Sequence, residues 1–144
     1  MDQAAISRIN QRFASCFGQQ SFGAKLSRVQ AGEVEITAPI LEGARQQQGF
    51  GHAGLAFSLG DSAAGYAALT LLPLEHEVVT AEIKINLLAP AIGTRLIAIG
   101  KVIKPGRRLN VVSAEVFAEA EGKRRLIAVL QGTMVPVPAD PAAQ

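Results

Sequence analysis

The sequence predicts an α+β fold: one long helix packed against an antiparallel sheet. Three observations lead there. A single apolar stretch, Ala53 to Leu72, is long enough for a helix and stops at Pro73. From Val78 onward the chain reads as strands punctuated by turn residues. With 144 residues, 49% hydrophobic and 18% charged, it suits one domain and is too apolar for disorder.

The elements follow in order. Ile6, Ile9, Phe13 and Phe17 recur at three- and four-residue spacing, which predicts a short amphipathic first helix. Two short strands are expected over Ala24 to Val29 and Glu33 to Ile40, the second placing Val34, Ile36 and Ala38 on one face. The polar segment LEGARQQQGFG, Leu41 to Gly51, reads as a loop before the long helix. Glu82 to Leu88 alternates strictly, with Ile83, Ile85 and Leu87 opposed to Glu82, Lys84 and Asn86. Strands Thr94 to Ile103, Leu109 to Ala120 and Leu126 to Val135 are separated by the turns KPGRR and EGKRR. The end, VPVPADPAAQ, is expected to stay out of any regular ladder and be loose. No repeat or internal boundary is visible, so the domain is expected over residues 1–137 with a flexible tail over 138–144.

Adjacent apolar pairs such as Ile97–Ala98, Val111–Val112 and Ile127–Ala128 make the last three strands apolar on both faces. One helix covers one face, so a second subunit is expected over the other.

Composition narrows the function. Fourteen Lys+Arg against twelve Asp+Glu leave +2, too small a surplus to argue for nucleic acid or a membrane surface. The lone Cys16 rules out an intramolecular disulfide framework, and MDQAAISRINQRFASCF lacks the pattern of a signal peptide, so a cytoplasmic protein is expected. Asp61 in the middle of the long apolar segment would cost about 2.5–3.5 kcal/mol in a bilayer, which argues for a core helix.

Gly49 to Gly54, GFGHAG, satisfies the dinucleotide spacing G-x-G-x-x-G, but RQQQ precedes it and a meander follows, so a dinucleotide site is not expected. Its glycines fit a helix start open to close approach, with the N–H groups of Ala53 and Gly54 facing an oxygen that gains negative charge. An ordinary glycine-containing helix entry is equally compatible with this segment alone. Asp61 has no basic residue at i±3 or i±4, so a cleft competes with open solvent as its setting. His52 and Asp61 are about 13 Å apart along one helix and about 180° around it, which forbids a shared site within one chain. A symmetry mate would have to join them.

Two histidines and one cysteine without HExxH spacing give no zinc signature, and no G-x-S-x-G elbow is present. His76, in LEHE, reads as a loop residue, and Cys16 beside Phe13 and Phe17 as buried. Arg107–Arg108 and Lys123–Arg124–Arg125 lie at successive turns, hence at opposite ends of the sheet. Each reads first as solvated turn charge, and either could hold a phosphate.

QQQGFGHAGLAFSLGDSAAGYA resembles the signature of the hotdog-fold acyl-CoA thioesterases of the PaaI-like group, in which His-Gly-Gly opens the central helix and an acidic residue follows. TAEIKINLLAPA and PGRRLNVVSAEVFAE resemble later parts of the same family, so the resemblance spans Gly32 to Val135. It implies a central helix wrapped by a mostly antiparallel five- to six-stranded sheet. It also implies an acyl-CoA substrate, no cofactor, no metal, and a homo-oligomer with shared sites, commonly a tetramer. Position by position, Asp61 matches the catalytic carboxylate, His52 the motif histidine and Ala53 the glycine whose N–H meets the thioester carbonyl. Gln46 matches a side-chain amide position, and Thr80 a hydroxyl position that holds the attacking water. Gly54, Arg107 and Arg108 are the expected contacts to the CoA moiety. His-Ala-Gly departs from His-Gly-Gly, keeping the N–H but adding a methyl group at the approach to the carbonyl. General-base and nucleophilic roles for Asp61 both remain open, as do a hotdog hydratase or dehydratase and a non-catalytic acyl-CoA-binding module.

Overall fold

The computed structural model describes residues 1–140, apart from the Phe17 side chain. The expected burial of that side chain and the chain end at 141–144 therefore lie outside the described residues. The first helix, α1 (Gln3–Ala14), starts where Asp2 accepts the Ala5 N–H at 2.8 Å and ends at Ser15, whose hydroxyl donates to the Gln11 carbonyl. One helix through Phe17 was expected. Instead the chain turns at Cys16 and a separate short helix, α2, covers Phe17–Ser21.

Strands β1 (Lys25–Gln30) and β2 (Glu33–Pro39) form a hairpin, and β2 buries Val34, Ile36 and Ala38 as its alternation predicts. The long helix, α3 (Ala53–Leu69), is followed by β3 (His76–Leu87), β4 (Arg95–Lys104), β5 (Asn110–Ala120) and β6 (Lys123–Pro138). Together the strands make one antiparallel sheet in the order β1-β2-β4-β5-β6-β3. The α+β expectation holds, with six strands.

α3 crosses the sheet closely because it presents Ala56, Ala63, Ala64, Ala67 and Ala68 to it. The crossing is tightest at Gly100, where an added Cβ would sit 2.2 Å from the Ala63 carbonyl carbon. Only glycine fits on β4 there. No helix of the described residues is long and apolar enough to cross a membrane.

α3 ends at Leu69, short of the Leu72 expected from hydropathy. The chain tightens there: the Thr70 hydroxyl donates to the Ala67 carbonyl at 2.6 Å, and the Leu71 and Leu72 N–H groups turn back three residues, to Ala68 and Leu69. α1 then caps the end. Arg8, 7% exposed, donates to the carbonyls of Leu69, Leu72 (2.8 Å) and Pro73 (2.7 Å), and more weakly to that of His76 (3.4 Å). A guanidinium thus occupies the carbonyl end of the helix, where positive charge is favoured. Burial lowers the Arg8 pKa and nearby Glu77 opposes that. Arg8→Ala removes the buried guanidinium and leaves the Leu72 carbonyl without its donor, while Leu69 and Pro73 keep the N–H groups of Leu72 and His76. It is expected to cost about 1–3 kcal/mol of stability, read from the denaturant midpoint. Unchanged stability would show that water replaces the guanidinium.

Two further expectations are corrected. The VPVP segment is not loose: β6 pairs with β3 as far as His76↔Pro138, and the Ala139 N–H continues to the Glu75 carbonyl at 2.9 Å. Pro136 and Pro138 alternate with these donors, so their missing N–H groups face the side where β5 has already ended. His76 is not a loop residue but heads β3.

The sheet face away from α3 is apolar only in part. Ile99, Phe117 and Val129 are half-buried there, but their register neighbours include Glu35, Glu115 and Asn86. The barer feature is the outer edge of β3, twelve residues long and unpaired, with Val79 50% and Leu87 56% exposed.

Candidate functional site

The loop before α3 is tightly folded. The Gln46 N–H donates to the Phe50 carbonyl at 2.9 Å and the Gly49 N–H returns to Gln46 at 2.9 Å, a closure that needs the positive φ of 88° at Gly49. Arg45 ties the loop down through the carbonyls of Gly49 (2.7 Å) and Ile40 (3.0 Å). Gly51 bridges to Ala91, and the His52 N–H reaches the Ala44 carbonyl at 2.8 Å.

This delivers His52 as the N-cap of α3, with extended backbone angles of −63° and 142°. Its Nδ1 accepts the Gly54 N–H at 2.8 Å, so the ring proton sits on Nε2. His52 therefore serves as a helix cap. Gly54 was expected to offer a free N–H to the ligand; the cap consumes it. A Cβ at position 54 would also lie 3.0 Å from His52 Nδ1. What remains is Ala53, exposed, whose N–H has no acceptor among the described residues. It opens onto a cavity of about 440 Å³ lined also by Gln46, Gln48, Phe50, Leu87 and Leu88. Gln46 is fixed by Gln48, which receives its amide at 3.2 Å and returns a backbone N–H to its Oε1. Sequence reasoning passed over Gln48, one glutamine in a run of three with no local mark to separate it.

Asp61 lies further along α3, half-buried, and accepts the Thr80 hydroxyl of β3 at 2.7 Å. The same hydroxyl lies 3.3 Å from Met134 Sδ, a far weaker acceptor than the carboxylate, so its proton goes to Asp61 and Thr80 aims that side chain. The pair borders a second cavity of about 290 Å³ with Tyr66, Leu69, Val78 and Met134. Burial pushes the Tyr66 phenol well above its ordinary pKa, and the nearby Cys16 adds to the shift. Cys16 is only half-buried, against the expectation of burial, because it sits at the turn between α1 and α2. Phe13 meets Tyr66 edge-on at 6.0 Å, and an Arg12–Glu77 ion pair borders the same cavity. None of these was legible as a site residue, since they converge from α1, α3 and β3.

One chain thus holds the candidate residues in two separate groups. Gln46, His52 and Ala53 surround the first cavity; Asp61 and Thr80 border the second, about 12 Å further along the helix axis. Arg107 is brought to neither. It borders a third cavity of about 380 Å³ at the C-terminal end of α3, with Leu71, Leu72 and His76, while Arg108 lines none of the three.

Comparison with known proteins identifies the family and the fold. The model of the thioesterase superfamily matches residues 48–124, more than half the chain and the span holding Ala53, Asp61 and Thr80. SSO2140, an esterase candidate of Saccharolobus solfataricus, is 33% identical over 99 residues, 69% of each chain. A thioesterase family protein of Silicibacter pomeroyi superposes with a TM-score of 0.92 at 36% identity, covering 94% of this chain and 99% of that one. The E. coli PaaI protein from the phenylacetic acid degradation operon superposes at 0.85 with 18% identity, covering 94% and 95%, a likeness of fold alone. By sequence and by its hotdog architecture, the chain belongs to the thioesterase superfamily.

Proposed function

We propose that the protein hydrolyses acyl-CoA thioesters to free acid and CoA, in sites shared between two chains. The observation that carries this reading is the division of the machinery: an unsatisfied Ala53 N–H in one cavity and a Thr80-aimed Asp61 in another. The thioester carbonyl accepts the Ala53 N–H, with the Gln46 amide beside it, so negative charge gathering on that oxygen is met by the start of α3. Asp61 of the partner subunit then takes a proton from water as the water oxygen bonds to the carbonyl carbon, or attacks that carbon itself to give a mixed anhydride that water opens. In either route the C–S bond breaks, the thiol sulfur gains a proton and the acyl carbon leaves as a carboxylic acid. The Tyr66, Leu69, Val78 and Met134 wall of the cavity beside Asp61 suits the acyl group, aromatic, arylacetyl or medium-chain.

The bare edge of β3 supports a dimer in which two such edges pair. A dimer of dimers is the assembly the family resemblance implies. Steady-state thiol release from a panel of CoA esters tests the reading. Turnover of at least one ester is expected; tight binding without release would leave an acyl-CoA-binding module in its place.

A further inference from the structure

We propose that Lys123 and Arg125, on the β5–β6 hairpin, form the subsite that holds the phosphate groups of the CoA substrate. The inference rests on the acyl-CoA reading above and assigns that substrate's charged end to particular residues.

The hairpin turn is tight, with positive φ at Glu121 (52°) and Gly122 (76°), so β6 begins directly at Lys123. Register then fixes the faces. Arg124 opposes Glu119 and shares its carboxylate with Arg95, at 3.5 and 2.9 Å, so its charge is already matched. Arg125 opposes Ala118 and Lys123 opposes Ala120, and Ala118 is a core residue 2% exposed. The two cations therefore stand on the helix side of the sheet, and both are exposed without an ion-pair or hydrogen-bond partner among the described residues.

That side is the side of the Ala53 cavity. Ile127 lines the cavity, and its carbonyl receives the N–H groups of Leu88 (2.8 Å) and Ala89 (3.3 Å), which lie on the cavity wall. β6 runs outward from this rim through Arg125 to Lys123, about 7 and about 13 Å beyond Ile127. The pantetheine arm keeps the phosphates of a CoA ester well away from its thioester. Cations that hold them therefore belong beyond the cavity, as these are, rather than within it. Of Arg107 and Arg108, the pair expected from sequence, Arg107 opens at the opposite end of α3 on the same chain and Arg108 follows it in the same exposed turn.

The test compares two substrates with one acyl group: the CoA ester turned over fastest in the panel, and the corresponding pantetheine ester, which has no phosphates. Lys123→Glu/Arg125→Glu is expected to raise the ratio of their KM values about tenfold with kcat for the CoA ester unchanged. Lys123→Gln/Arg125→Gln, which adds no negative charge, should move the ratio in the same direction by less. Added KCl should raise the wild-type KM for the CoA ester, have little effect on the Gln variant and lower the KM of the charge-reversed one. A ratio unmoved by both variants, with turnover intact, would overturn the subsite and leave the thioesterase reading standing. So would a ratio that responds to Arg107→Glu/Arg108→Glu instead. A wild-type protein that hydrolyses no CoA ester would defeat the acyl-CoA reading itself, and this inference with it.

Discussion

Asp61→Asn and Asp61→Ala are expected to lose about 10²–10⁴-fold in kcat while still binding CoA esters. Asp61 is only half-buried, so neither substitution opens a core cavity. The asparagine oxygen can still accept the Thr80 hydroxyl that now meets Asp61 at 2.7 Å. The Asn variant therefore keeps shape and hydrogen bond and loses only the charge and basicity that either route needs. Single-turnover and steady-state thiol release check the loss, and equilibrium binding of a CoA ester checks that the site persists. More than about a tenth of wild-type turnover in both variants would remove Asp61 from the chemistry, because a general base contributes far more than that.

What could be read from the sequence followed from local periodicity. β2 was legible because Val34, Ile36 and Ala38 all face the core while their neighbours do not. The second half of β3 was legible for the same reason, through Ile83 and Ile85. Its first half was not, because Val79, Thr80, Ala81 and Glu82 are all exposed on the sheet edge and a bulge between Thr80 and Glu82 shifts the alternation. The end of α3 was hidden for another reason: hydropathy continues to Leu72, but the Thr70 hydroxyl takes the Ala67 carbonyl, Leu71 and Leu72 turn back to i−3, and Arg8, far away in sequence, caps the end. At the site, glycine spacing placed the helix start correctly but left two free N–H groups. Histidine is not among the usual N-caps, so nothing local announced that its ring would take the one on Gly54. The bond between Thr80 and Asp61 joins positions on different elements, and only the family resemblance pointed to Thr80.

Two inactive chains are expected to restore activity when combined. The first carries Asp61→Ala. The second carries Ala53→Pro, which deletes the N–H facing the first cavity. Position 53 is the first residue of α3, where proline is well tolerated, and His52 before it already has the extended backbone that proline demands. The helix should therefore persist without its free donor. Alone, this chain should lose about 10²–10³-fold in kcat, the usual cost of removing an oxyanion donor. In a hybrid dimer, one shared site combines the intact Ala53 of the first chain with the intact Asp61 of the second, while the other site lacks both. Hybrids isolated with two affinity tags should then approach half the wild-type rate per dimer. If each site were built within one chain, the same hybrids would contain two singly damaged sites and stay inactive. Activity near half thus identifies a site completed across the subunit boundary, and inactivity in verified hybrids would return both halves to a single chain.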